Sequence, residues 1–409
     1  MSRRGYLSQY FEWVAAKRLS AVEADTAVSH QHEFNGSRAL KAVLGTGSGD
    51  KIQFPAVFIW LGNENEAVSS EGFVTWYDAR RDHPSRSEYR LYFPTTEVSE
   101  MAQAGDLMII AKRTNGTVMI IVCAAGSSVE SQLLWLFGIP RQASLDFTLS
   151  EIQHGEDREV DFAVRFILEE LGIEVEDTTA YFYDEILKGY AGKLPGTREF
   201  SGLARTILKD VSPLDDPDGT LMAWMNLEEK LFRRIERHQI DMRLREGFIG
   251  KDGTDVDGFL QFSLGIQNRR KSRAGLALEN HLEEIFRLHG ISYERAAETE
   301  NKIKPDFLFP GGNAYHDPRF PAGRLTMLGA KTTCKDRWRQ VLTEAARIPG
   351  KHLLTLEPGI SEKQTSEMQS FILRLVLPRP LHNTYRTGQQ SWLMDLQGFL
   401  GVVLEKQGH

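Results

Sequence analysis

The hydrophobic periodicity of this chain changes partway along, and no single layer of structure accommodates both patterns. Up to about residue 145, apolar residues come in short runs rich in β-branched and aromatic types: Phe54–Leu61, Gly72–Tyr77, Tyr89–Phe93, Asp106–Lys112 and Thr117–Cys123. Gly, Asn, Asp and Ser clusters separate them, the punctuation of a small barrel or sandwich. Beyond Tyr181 the pattern becomes long amphipathic helices at Leu221–Arg245, Ala274–His289, Lys335–Ile348 and Ser391–Lys406. Short apolar strands lie between the later ones, at Asp306–Phe309, Leu325–Thr332, His352–Leu356 and Leu373–Leu377, which indicates an α/β layer. Helices are also expected at Leu7–Arg18 and Ser128–Phe137, and a charged helical stretch at Leu149–Leu171. The expected organisation is therefore an all-β domain over residues 1–145, a helical connector over 146–180 and an α/β domain over 181–409. At roughly 150 residues per domain, 409 residues give each its own core.

Composition excludes several classes. Apolar residues at 41% and charged residues at 26% are ordinary for a globular chain and too apolar for a disordered one. No apolar run approaches the ~18 residues of a membrane span, and no apolar segment follows the charged start Met1–Tyr6 as in a secretory signal. Two cysteines, Cys123 and Cys334, rule out a disulfide scaffold or a Cys-rich zinc site. A cytoplasmic protein without membrane partners is expected.

The net charge of 49 − 56 = −7 speaks against nucleic acid only on average, because binding depends on the local field. Four basic residues and no acid fall between Arg269 and Arg273. Lys331, Lys335, Arg337 and Arg339 face Asp336 alone, and four arginines lie between Arg80 and Arg90. Each cluster could be a solvated helix face; three of them on an acidic background suggest selected contacts.

Some features mislead. Gly45-Thr46-Gly47-Ser48-Gly49 lacks the Gly-Lys-Ser/Thr ending of a phosphate loop. Asp252–Gly258 lacks the first Asp and the closing Glu of a calcium loop. His30 and His32 have no convincing third metal ligand near in sequence.

The stretch that carries chemistry runs from Arg269 to Glu344. Lys304-Pro305-Asp306 places a carboxylate at the mouth of a short strand, and Lys331 falls near the end of the next. Glu344 follows thirteen residues later, on an expected helix whose buried stripe is Trp338, Val341, Leu342, Ala345 and Ile348. It lies seven residues past Arg337, so both would project from one edge of that helix. Glu279 borders the stripe Leu278, Leu282, Ile285 and Phe286. Phosphodiester hydrolysis needs such groups: carboxylates to hold Mg²⁺, which neutralises phosphate charge and acidifies a bound water, and a lysine beside them. Spacing alone leaves strand-end caps and surface ion pairs as the alternative.

Longer runs are more specific. Arg269-Arg270-Lys271-Ser272-Arg273-Ala274-Gly275, Leu278-Glu279, Lys304-Pro305-Asp306-Phe307-Leu308-Phe309-Pro310, Ala314-Tyr315-His316-Asp317 and the ten residues Lys331–Gln340 resemble the catalytic domain of the EcoRII type II restriction endonucleases. The resemblance is nearly continuous over residues 268–345, about a fifth of the chain. It implies a restriction-endonuclease-like fold with a permuted Pro-Asp…Lys site, Asp306 and Glu344 as metal carboxylates, Lys331 as catalytic lysine and Glu279 as supporting acid. Tyr315 resembles a tyrosine that family places in its active site. Lys335, Asp336 and Arg337 match a segment that reads adjacent G·C pairs, as guanine O6/N7 and cytosine N4 would suit them. Gly329 departs from related permuted sites, which often carry Ser or Thr there, and a small residue would leave room for the phosphate.

Towards the N-terminus, Lys17–Ala21, Ser29-His30-Gln31 and Arg86–Arg90 resemble the effector domain of the same enzymes, a DNA-binding pseudobarrel. Candidate DNA contacts are thus His30, Arg81, Arg86, Glu88 and Arg90 in this domain, and Arg269, Arg270 and Lys271 in the other, with Arg80 also suited to phosphate. The resemblance implies a Mg²⁺-dependent site-specific endonuclease acting on double-stranded DNA at a near-palindromic CC-W-GG-like site. It also implies a homodimer through the C-terminal domain, an autoinhibitory effector domain and a cognate DNA methyltransferase as genetic partner. The rivals are a non-cleaving DNA-binding regulator and a repair nuclease on the same fold.

Overall fold

The computed structural model describes residues 5–24, 32–46, 50–62, 66–141, 145–152, 158, 160–175, 184–190, 193–250 and 253–408, without the side chains of Glu151, Glu185 and Asp336. The chain divides into two compact units: Met1–Glu176 with Pro358–Thr365 and Thr384–Arg386, and Asp177–Glu357 with Ser366–Asn383 and Thr387–His409. Among the described residues no helix is long and apolar enough to cross a membrane. Both cysteines are buried and free.

The first unit is one curled mixed sheet of eight strands. They are β1 (Phe11–Arg18), β2 (Glu33–Asn35), β3 (Ile52–Leu61), β4 (Ala67–Asp78), β5 (Tyr89–Tyr92), β6 (Leu107–Arg113), β7 (Val118–Cys123) and β8 (Thr148–Glu151). Their order is β2-β5-β4-β3-β7-β6-β1-β8, antiparallel throughout except for the parallel pair β3–β7. Alternate residues of the central strands enter two different cores. Ile109, Ala111, Met119 and Ile121 pack with helices α1 (Ser128–Leu136) and α2 (Phe162–Glu170). Met108, Ile110, Ile120 and Val122 pack with Trp76, Leu91 and Phe93 on the concave side. Curling brings the two edges together: the ring of Phe34 on β2 lies 6.1 Å from that of Phe147, just before β8.

Two expectations fail here. The helix expected over Leu7–Arg18 is a 3₁₀ turn, Leu7–Gln9, followed by strand β1. Because β1 is buried on both faces, its apolar residues lose the alternation that marks a strand. The helical stretch expected over Leu149–Leu171 begins instead with β8, paired to β1 from Ala16↔Thr148 to Trp13↔Glu151, and only Phe162–Glu170 is helical.

In the second unit, α3 (Thr197–Ile207), α4 (Pro217–Glu246) and α5 (Val256–Leu288) form a helical layer, with a small hairpin of β9 (Ile249–Gly250) and β10 (Gly253–Thr254) between the two long helices. Asp216 and Asp255 cap α4 and α5 by accepting from Gly219 N and Gly258 N. So the calcium-like loop near Gly258 is a helix start. A five-stranded sheet follows, in the order β11 (Glu294–Arg295), β12 (Phe307–Phe309), β13 (Thr326–Lys331), β14 (Lys351–Thr355) and β15 (Leu373–Val376). β11–β13 pair antiparallel and β13–β15 parallel. Phe286 of α5 fixes the helix on this sheet, its ring 5.1 Å from Phe307 and 5.2 Å from Phe309.

The helix expected over Lys335–Ile348 is reduced to a 3₁₀ turn at Lys335–Arg337 and one helical turn, Trp338–Val341. Trp338, Val341, Ala345 and Ile348 of the stripe are buried as expected and Leu342 is half-buried, but the backbone turns at Ala345, which has φ 48°. Two amides that a helix would use internally point elsewhere: Ala346 N donates to Glu300 and Arg347 N to the Tyr315 hydroxyl.

Candidate active site

β12 and β13 run side by side, so Asp306, just before β12, meets the far end of β13. One oxygen of Asp306, Oδ2, accepts from Ala330 N and from Lys331 Nζ, each at 2.7 Å. Both side chains are largely buried, 17% and 14% exposed, so the pair is shielded from bulk solvent. The backbone bond fixes the carboxylate and the carboxylate fixes the lysine.

Glu344 completes the cluster from the irregular turn, not from a helix. It is buried, while Arg337 is exposed, so the two do not share an edge. Burial lifts the Glu344 carboxyl to about 7; the nearby Asp306 charge adds to the rise and Lys331 and Lys351 oppose it. Its Oε2 is buried without a hydrogen-bond partner. A buried carboxylate oxygen left bare is costly unless something charged meets it.

Glu279 of α5 also feels Asp306. Burial raises its carboxyl, Arg295 opposes that rise and Asp306 adds to it. Arg295 on β11 holds Glu279 Oε2 at 2.6 and 2.9 Å and also reaches Asn280 Oδ1 at 2.9 Å and Glu283 at 3.3 Å. Sequence reading missed Arg295, whose only signal is its place on an edge strand across from Phe307. It also missed Lys351, a buried lysine at the start of β14 whose ammonium burial disfavours, and Glu357. Glu357 accepts from Cys334 N at 2.5 Å and from Lys335 N at 3.1 Å, anchoring the segment that carries Arg337.

Tyr315 stands one step removed. Its hydroxyl donates to Glu300, 2.6 and 2.7 Å from the two carboxylate oxygens, and accepts from Arg347 N at 3.1 Å. Burial and Glu300 push its phenol up to about 12. Gly329 has a packing reason: a Cβ there would come within 2.9 Å of Val341. The small residue makes room for that helical turn.

Of the candidate DNA contacts, Arg269 donates to Gln239 at 3.0 Å and Arg270 to buried Glu236 at 2.7 Å, so both also tie α5 to α4. Lys271, Arg86 and Arg337 are exposed and Lys335 is half-buried. In the first unit Asp78 closes the base of the β4–β5 loop by accepting from Arg80 N and Glu88 N. Glu88 pairs with Arg80 and with Arg90, which also pairs with Glu33, and Arg81 pairs with Asp50. His30 lies outside the described residues, as does the Asp336 side chain.

Two or three oxygen donors, one of them unpartnered, beside a fixed lysine suit a hard divalent cation and a phosphate. Among the described residues no group of three or more His, Cys, Asp and Glu forms a ready metal cage. Mg²⁺ does not require one, since it commonly takes one or two carboxylates and completes its shell with water and substrate phosphate. The residues fit the ion.

This is a carboxylate–lysine centre on a mixed sheet. Residues 232–400 match the family described as EcoRII C terminal. Over 190 residues the chain is 45% identical to the type II restriction enzyme EcoRII of Escherichia coli, a match covering 46% of each protein. The chain thus spans about half the length of the curated relative it matches. Two solved structures are more distant. Metal-depleted Ecl18kI in complex with uncleaved, modified DNA is 21% identical, covering 55% of this chain and 83% of that one, with a TM-score of 0.44. The PspGI restriction endonuclease–substrate DNA complex is 14% identical, covering 53% and 95%, also with a TM-score of 0.44.

Proposed function

We propose that this chain is a type II site-specific deoxyribonuclease that hydrolyses double-stranded DNA with Mg²⁺. The observation that carries the reading is the Asp306–Lys331 pair beside the unpartnered oxygen of Glu344, inside residues 232–400 that match the EcoRII C-terminal family. Asp306 and Glu344 would hold the ion, which when bound neutralises phosphate charge and acidifies a water ligand. Lys331, oriented by Asp306, keeps its ammonium at the scissile phosphate, where negative charge builds up during attack. Glu279, clamped by Arg295, adds a third carboxylate for outer water. Burial of these groups strengthens each interaction by excluding solvent.

The C-terminal unit in this reading has a restriction-endonuclease-like fold, works as a homodimer and reads a near-palindromic CC-W-GG-like site through Lys335, Asp336 and Arg337. Two-fold symmetry of target and protein would match. The N-terminal sheet serves as a DNA-binding pseudobarrel that restrains cleavage, with Arg81, Arg86 and Glu88 on its β4–β5 loop and Arg90 on β5 as contacts. A cytoplasmic setting and a methyltransferase protecting host sites go with such an enzyme. A non-cleaving regulator is disfavoured because it gains nothing from two buried carboxylates beside a lysine. Incubating the pure chain with a plasmid of known sequence and Mg²⁺, then mapping the ends, tests the reading. Fragments with one common end sequence support it, and an intact plasmid bound at one sequence favours the regulator.

A further inference from the structure

Three arginines line one cavity of the second unit, a hollow of about 260 Å³ where α3, the last turns of α5 and the lead into β11 meet. Arg198 and Arg205 come from α3 and Arg287 from α5, with Glu283 and Glu284 as the acids among them. The volume is that of roughly eight waters, ample for a small anion and part of its hydration shell. The three arginines belong to none of the groups assigned to catalysis.

Both acids are already taken. Glu283 pairs with Arg198 at 3.2 Å, accepts from Arg295 at 3.3 Å and takes the Tyr293 hydroxyl. Glu284 accepts two bonds from Arg287, at 2.8 and 3.0 Å. Arg205 is different. Among the described residues it has no carboxylate ion pair, and its polar contact is the ring of His281, whose Nδ1 lies 3.3 Å from Nη1. Burial disfavours its charge, and Glu284 and Glu228 offset this only at longer range. A half-buried cation without an adjacent anion is costly.

The fold nevertheless holds this guanidinium in place from inside. His281 is fully buried, and its Nε2 lies 2.9 Å from Oε2 of buried Glu228. A guanidinium can only donate, so Nδ1 accepts and the ring proton sits on Nε2, toward Glu228. Burial favours the neutral ring that this arrangement requires. Trp224 supports Arg205 from the side, its ring centre 5.9 Å away. The other N–H groups of Arg205 have no protein partner among the described residues and border the cavity.

We propose that this cavity binds a phosphate group, with Arg205 as the anchor and Arg198 and Arg287 at the rim. A guanidinium offers paired N–H donors that match two oxygens of a tetrahedral oxyanion. Three arginines against two acids leave one positive charge to meet it. Arg198 and Arg287 are 72% and 62% exposed, so each can share its glutamate with the anion at little cost. Free phosphate and a backbone phosphate of DNA present the same chemistry. The site holds whether or not the chain cuts DNA.

Calorimetric titration of the full chain with inorganic phosphate reads the binding, at low salt and in a chelator so that no cation carries phosphate to Asp306 and Glu344. One phosphate per chain is expected, with a Kd of about 1 mM or tighter. Arg205→Gln should abolish it. Arg198→Gln with Arg287→Gln, both on exposed side chains, should weaken it about tenfold with unchanged circular dichroism. A random-sequence duplex titrated at several salt concentrations separates the two sources. A salt slope about one smaller in Arg205→Gln assigns the site to the DNA backbone, and an unchanged slope with phosphate binding lost assigns it to free phosphate. The proposal falls if neither phosphate binding nor the duplex slope depends on Arg205. It falls equally if the paired rim variant matches the wild type in both titrations.

Discussion

The Tyr315 hydroxyl donates to Glu300 and accepts from the amide of Arg347, three residues after Glu344. The same Glu300 takes the Ala346 amide, and the Arg347 guanidinium bonds the carbonyls of Tyr315, Asp317 and Phe320. These contacts hold the turn that presents Glu344. Tyr315 thereby acts on the site through the backbone, as a positioning residue.

Tyr315→Phe should therefore lower single-turnover cleavage by about 10–100-fold and leave the reaction intact. The fold should lose about 1 kcal/mol, because the exposed Glu300 carboxylate and the Arg347 amide each lose a partner. Complete loss of cleavage in a folded Tyr315→Phe protein would mean the hydroxyl touches the reacting atoms.

Lys331→Ala and Asp306→Ala should each abolish cleavage while specific DNA binding in Ca²⁺ persists, since in the proposed reading both groups would face the phosphate and the ion. Gel-shift and plasmid assays on the same preparations separate the two effects. Cutting at close to the wild-type rate by either variant would place the active site elsewhere.

Glu344 sets a pH dependence. Its carboxyl lies at about 7 in the fold against 4.5 as a free group, so folding favours the protonated form. That stabilisation is complete below the unfolded value and is lost as pH rises through about 7. In a chelator, Glu344→Gln should match the wild type near pH 5 and exceed it near pH 8 by about 2 kcal/mol in denaturant titrations. Equal stability at the higher pH would show that the wild-type carboxylate is not under strain.

Arg337→Ala should cost ~1–3 kcal/mol at the cognate site and relax discrimination at one G·C pair. Arg269→Ala should weaken cognate and random DNA alike and reduce the salt slope. Binding titrations at several salt concentrations distinguish the two, and a uniform loss for Arg337→Ala would remove its base-reading role.

A chain beginning near Glu176 should cut one-site DNA faster than the full chain if the N-terminal unit is a brake. The full chain should then respond to a short cognate duplex added in trans, and Arg86→Ala with Arg90→Ala should blunt that response. A soluble truncated protein that is no faster would make the unit a targeting module.

The strands of the candidate site were legible because each is a short apolar run bounded by a charged residue: β12 follows Pro305-Asp306 and β13 ends on Lys331. Strand β1 was not, since Leu7, Phe11 and Val14 repeat at helical intervals while the chain buries both faces of a strand. Around Glu344, burial was legible and backbone was not. Trp338, Val341, Ala345 and Ile348 are all inside, but Glu300 and Tyr315, remote in sequence, take the amides that would have extended the helix. Arg295 and Lys351 matter through neighbours brought to them by sheet pairing, which no local pattern encodes.

The placement of β1 constrains how the chain comes off the ribosome. Its two neighbours in the sheet are β6, about ninety residues later, and β8, at Thr148–Glu151. Until those segments emerge, a strand apolar on both faces has nothing to pair with, so loop closure over more than a hundred residues precedes the first stable core. Unpaired during synthesis, this segment is exposed to aggregation. Slower translation around residue 150, or a chaperone that shields residues 11–18, would raise the soluble yield without altering a single contact of the finished protein.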